Sequence, residues 1–124
     1  RYTTSNAVHQ ASKEPEEKRK DFLKWLYELE YDHMGLPRPD LVLYLDVPTD
    51  FTEMLLRSRE AATGTHADIH EADTQYLSAS RRMGRSAAEY YGWTLISCVK
   101  NGKMRSIQDI HEEIYRYVTK CLEE

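Results

Sequence analysis

The sequence predicts an α/β protein with parallel strands, and three observations carry that reading. Helical and extended segments alternate along the chain. Residues 41 to 47 form an unbroken apolar run, which suits a strand buried on both faces, as in a parallel sheet covered by helices. Phe22, Trp25, Leu26, Leu29 and Met34 mark an apolar stripe at three- and four-residue spacing.

Taken in order, residues 3 to 13 can form a helix that ends at Ser12-Lys13-Glu14-Pro15. The strongest helix covers 16 to 34, with its stripe as core, and Gly35 and Pro37 stop it. The strand at 41 to 47 ends at Pro48. Asp50-Phe51-Thr52-Glu53 offers a capping box for a helix running to about Glu60. Residues 61 to 74 lose periodicity around Gly64 and form the best loop candidate. A helix returns over 75 to 91, although Gly84 inside it costs about 1 kcal/mol relative to Ala. Gly92 ends that helix, 94 to 99 is a second buried strand, and Asn101-Gly102 is a turn. Ser106 starts the last helix, whose stripe is Ile107, Ile110, Ile114, Val118 and Cys121. Only two strands appear, and a buried parallel sheet needs more, so the expectation is a part of a larger sheet.

The 124 residues amount to one domain. A formal charge of -4, from 17 basic and 21 acidic residues, provides no basic field for nucleic acid. Lys18-Arg19-Lys20 and Arg81-Arg82 read as solvated helix faces. No stretch reaches the roughly 18 apolar residues of a membrane span, and no signal peptide is evident. Cys98 and Cys121 read as core thiols of a reducing compartment, which makes a cytoplasmic location the expectation.

The opening decapeptide, Arg1-Tyr2-Thr3-Thr4-Ser5-Asn6-Ala7-Val8-His9-Gln10, is the most informative segment. On a helix, Ser5, Asn6, His9 and Gln10 share one face. That face could hydrogen-bond the edge of a flat polar ligand, while Arg1 takes a charged group with its planar fork.

These residues resemble the Asp-Arg-Tyr-x-x-Ser-x-x-Ala-Tyr-Gln stretch of thymidylate kinases, with Val8-His9 where Ala-Tyr is usual. Residues 35 to 48, GLPRPDLVLYLDVP, are similar to that family's GLPxPDLxxYLDVP. Asp68-Ile69-His70-Glu71, Gln75-Tyr76-Leu77 and the helix after Ser106 continue the likeness over nearly the whole chain. The resemblance implies the C-terminal part of a P-loop, three-layer α/β/α domain that holds the last two strands of a parallel sheet. It also implies an acceptor-site helix at 1 to 13 and a lid at about 58 to 74.

The implied reaction is transfer of the γ-phosphoryl group of ATP to thymidine 5′-monophosphate (dTMP). Arg1 would hold the acceptor phosphate and is the implied catalytic residue. Ser5, Asn6 and Gln10 would face the thymine, and His9 would sit beside the sugar, where bulk excludes a 2′-hydroxyl. Arg57 and Arg59 would serve ATP from the lid side, only one of them touching nucleotide because they point in different directions. A GxxxxGK[ST] loop is absent from these residues, so the ligands of the magnesium that accompanies ATP are expected elsewhere. The family is usually homodimeric, and the helix at 16 to 34 is a candidate interface.

Other readings are weaker. His66 and His70 are four apart, but HxxxHE is not HExxH, and a lid suits Gly64 better than a metal site. Asp46 ends an apolar run as the acid of a Walker B strand does. The pattern is common, and capping of the next helix is the simpler role. The alternative function is a non-catalytic kinase fragment acting as a binding or interaction module.

Overall fold

A computed structural model describes residues 3–66 and 73–124. The chain is mixed α/β with a small parallel two-stranded sheet. Helix α1 (Thr3–His9) runs into a 3₁₀ turn (Ala11–Lys13). A second 3₁₀ turn (Glu16–Lys18) leads into α2 (Arg19–Tyr27), which widens into a π-helical segment (Glu28–His33). Strand β1 (Leu43–Asp46) is followed by α3 (Thr49–Thr63), α4 (Thr74–Tyr91) and β2 (Thr94–Ser97). A hairpin of β3 (Val99–Lys100) and β4 (Lys103–Met104) precedes the last helix, α5 (Ile107–Glu123). Among the described residues, no helix is long and apolar enough to cross a membrane.

The helix expected over 16 to 34 is therefore three different turns. In the last of them the Met34 N–H reaches back five residues to the Leu29 carbonyl, at 2.9 Å. An extra residue in a turn rotates everything beyond it. Glu30 and Tyr31 face inward, while Met34 is 62% exposed. Trp25 is also exposed, at 53%, while Leu23, outside the expected stripe, is in the core. Gly35, at φ +68°, then lets Leu36 N–H close on the Glu30 carbonyl at 3.0 Å and ends the helix. Arg38 fastens the returning chain, lying over the rings of Tyr27 and Tyr31 and pairing with Asp32 at 2.6 Å.

β1 and β2 pair in parallel, Leu43 beside Thr94 through Asp46 beside Ser97. They are not buried on both faces as the apolar runs suggested, since Leu45 is 50% and Leu95 38% exposed. With no further strand paired among the described residues, neither edge of the pair is covered. Val99 does not extend β2. It belongs to the hairpin, whose turn residues Asn101 and Gly102 both have positive φ, as a tight two-residue turn requires.

The capping box at Asp50 does not form. Helix α3 begins at Thr49 with Pro48 before it and no side-chain cap, so Asp50 already lies within the first turn. Helices α4 and α5 do carry side-chain caps. Asp73 Oδ1 accepts from Tyr76 N–H at 3.0 Å, and Ser106 Oγ accepts from Asp109 N–H at 3.1 Å. The stripe of α5 is only partly covered, and Ile107 is 90% exposed. Arg105 holds α5 to the sheet, donating to the Ser97 carbonyl at 2.7 Å and to the carboxylates of Asp109 and Glu113.

The core lies between helices. Ala7 and Ala11 from the first segment, Leu23 and Leu26 from α2, and Met83 and Ala87 from α4 form one buried cluster, flanked by Phe22, Tyr91 and Trp93. Alanines on the facing helices allow close approach. On its sheet side, α4 comes so near β1 that a Cβ at Gly84 would overlap the ring of Tyr44.

Gly84→Ala should therefore destabilise the protein by about 2 kcal/mol in chemical denaturation, despite alanine's better helix propensity. In a Tyr44→Ala background the same change should become neutral or stabilising by about 1 kcal/mol. Arg105 donates to Asp109 and holds its carboxyl below the ordinary 3.8, so this pair favours the folded state above that value. The contribution should vanish as pH falls through the lowered value. A stability profile of Asp109→Asn against wild type should converge at low pH.

Candidate functional site

In open parallel sheets, ligands gather at the carboxyl ends of the strands. Here those ends are Asp46 and Ser97. Asp46 is 4% exposed, and a carboxylate so buried requires partners. Arg81 on α4 supplies a fork, Nε to Oδ1 at 2.9 Å and Nη2 to Oδ2 at 3.2 Å. One turn later Arg85 adds a third bond to Oδ2 at 3.2 Å. The hydrogen bond to Asp46 raises the pKa of Arg81 above its usual value. Tyr44 lies alongside, its hydroxyl donating to the Arg81 carbonyl at 3.4 Å, and burial pushes its phenol up.

This cluster corrects two sequence readings. Asp46 is not a helix cap, and Arg81 is not part of a solvated face. Its sequence signal was two arginines four apart on one helix face and a lone acid closing an apolar strand. The same geometry removes Asp46 as a metal ligand. Among the described residues, no group of three or more His, Cys, Asp or Glu side chains could hold a metal ion. His66 is exposed, and His70 lies outside the described residues.

The polar face of α1 is more open. Ser5 and Asn6 are half-buried, and His9 and Gln10 are exposed. Asn6 Nδ2 donates to Glu30 Oε1 at 3.3 Å. A carboxylate only accepts, so Glu30 fixes which end of the Asn6 amide it meets and leaves the Oδ1 carbonyl as the group that Asn6 presents elsewhere. The π-helical segment is what turns Glu30 inward to do this. His9 Nδ1 lies 2.7 Å from the hydroxyl of Tyr76, and the two rings are nearly parallel, 8° apart with centroids 6.0 Å apart. Gln10 continues the backbone of α1, its N–H on the Asn6 carbonyl at 2.9 Å.

The remaining expected residues are placed differently. Arg1 lies outside the described residues, as do 67–72 of the expected lid. Residues 58 to 63 of that lid are the end of α3, and Thr74 already belongs to α4. Arg57 and Arg59 are exposed near the end of α3, a different element from the α1 face. A hydrogen bond from Thr74 to Glu53 ties α3 to the start of α4. Glu30 and Tyr76 had no signal as partners of Asn6 and His9, because they contact α1 across 24 and 67 residues.

Two depressions carry little weight. A cavity of about 240 Å³ at the amino ends of the strands is walled by Tyr27, Tyr31, Tyr91 and Trp93, with Arg38 at its rim. It is smaller than the roughly 300 Å³ of the tightest ligand sites, and its rings already pack on one another. A broader groove beside Arg85 mixes Arg19 and Arg82 with Glu16 and Glu89, so it has no field of one sign.

Burial raises the pKa of the Cys98 thiol, which makes it a poor nucleophile. A thiol reagent at neutral pH should modify the more accessible Cys121 first and Cys98 only slowly. Equal rates at the two positions, read by mass spectrometry, would contradict the buried placement.

Comparison with protein-family models, curated proteins and solved structures finds no match to this chain, so the functional reading rests on its own residues.

Proposed function

We propose that this chain is the C-terminal part of a thymidylate kinase domain of P-loop type and carries the site for the phosphoryl acceptor. The observation that supports this most is the face of α1. Asn6 and His9 lie on it one turn apart, and each is oriented by a hydrogen bond from another element. With its amide nitrogen on Glu30, Asn6 presents a carbonyl that suits the N3–H of a thymine imide. Ser5 and Gln10 extend the same edge, His9 flanks the sugar, and Arg1 takes the 5′-phosphate. The guanidinium then neutralises charge where the two anionic substrates meet.

The sheet supports the same reading. Two parallel strands with uncovered edges and half-exposed Leu45 and Leu95 call for further strands, as a five-stranded P-loop sheet would supply. The triphosphate cradle and the magnesium ligands belong to that further part. Arg57 or Arg59 would meet the ATP side, the enzyme would work in the cytoplasm, and the homodimer usual in the family would form through α2, where Trp25 is exposed.

The test is a phosphate-transfer assay with ATP and magnesium on the full-length protein, offering dTMP, dUMP, UMP and dGMP. dTMP should be the best acceptor, and preference for another would end the assignment. Arg1→Ala should lower turnover by about two orders of magnitude or more, while the unfolding midpoint stays nearly unchanged.

A further inference from the structure

We propose that Tyr76 is a positioning residue for the acceptor sugar, acting through His9 to discriminate against ribonucleotides. This rests on the kinase reading above. His9 stands where the resemblance implies a tyrosine beside the deoxyribose, and an imidazole fills less of that space. On an exposed helix face, an unrestrained imidazole also samples several rotamers. The structure supplies both the missing bulk and the restraint from α4.

The Tyr76 hydroxyl meets His9 Nδ1 at 2.7 Å, and the near-parallel rings form one continuous surface. Tyr76 is itself fixed at the backbone, because its N–H donates to the Asp73 cap at 3.0 Å. The anchor of this arrangement is thus the first turn of α4, a helix held to the sheet by Arg81 and Arg85. When the phenol donates to Nδ1, the imidazole proton resides on Nε2. The joined rings then occupy the space that a 2′-hydroxyl would need. A site that rejects an added hydroxyl by packing alone reaches about a hundredfold, and it does so only if the packed groups cannot move aside.

The decisive experiment measures kcat and KM for dTMP and for ribothymidine 5′-monophosphate, which differ only at the 2′ position. The full-length wild type, Tyr76→Phe and the double variant His9→Tyr/Tyr76→Phe are compared. Tyr76→Phe keeps the ring and removes the hydrogen bond. It should narrow the ratio of the two kcat/KM values about tenfold, mainly through a lower KM for the ribonucleotide. The double variant restores a tyrosine beside the sugar without needing the contact, and should recover most of the ratio. An unchanged ratio in Tyr76→Phe, or no recovery in the double variant, overturns the role of Tyr76 and leaves the kinase reading standing. A wild type that phosphorylates no thymidine nucleotide overturns both.

Discussion

A buried carboxylate at the end of a short strand governs this architecture. Asp46 sits at 4% exposure at the end of β1, and among the described residues α4 answers its charge with Arg81 and Arg85. An uncompensated buried charge costs several kcal/mol, so the position of α4 over β1 is not negotiable. Arg81 and Arg85 set the rotation of the helix, and Gly84 between them sets its distance by admitting the ring of Tyr44. Once α4 is fixed, its opposite face receives Ala7, Ala11, Leu23 and Leu26, and its first turn delivers Tyr76 to His9. The polar face of α1 therefore inherits its geometry from an ion pair on the far side of the helix it packs against.

Much of this was legible in the chain and some was not, for identifiable reasons. Helix-strand alternation, the turn at Asn101-Gly102 and the stops at Gly35 and Gly92 depend on local backbone preferences, and these are printed in the sequence, whereas the helix expected to end at about Glu60 runs on to Thr63. The π-helical turn is not. Nothing in Glu28–His33 distinguishes a five-residue closure from a four-residue one, and the core position expected of Met34 is accordingly not met. Gly84 reads as a cost in the sequence because its benefit lies in Tyr44, far away along the chain and across a packing interface.

The candidate site divides in the same manner. Ser5, Asn6, His9 and Gln10 could be grouped because helical spacing is local. Glu30, Tyr76, Arg81 and Arg85 could not be joined to their partners, because those contacts exist only after the chain has folded back on itself. Sequence reasoning grouped the polar side chains along α1 and missed the groups that orient them. That asymmetry has a physical origin, since a positioning residue is defined by tertiary geometry and carries no motif of its own.

The uncovered sheet has a consequence for handling this polypeptide. Among the described residues no further strand pairs along the outer sides of β1 and β2, and Leu45 and Leu95 are half in water beside them. Extended strands from neighbouring molecules can add to such an edge at little entropic cost. An extra strand along either side would remove that liability, which changes of surface charge elsewhere leave in place.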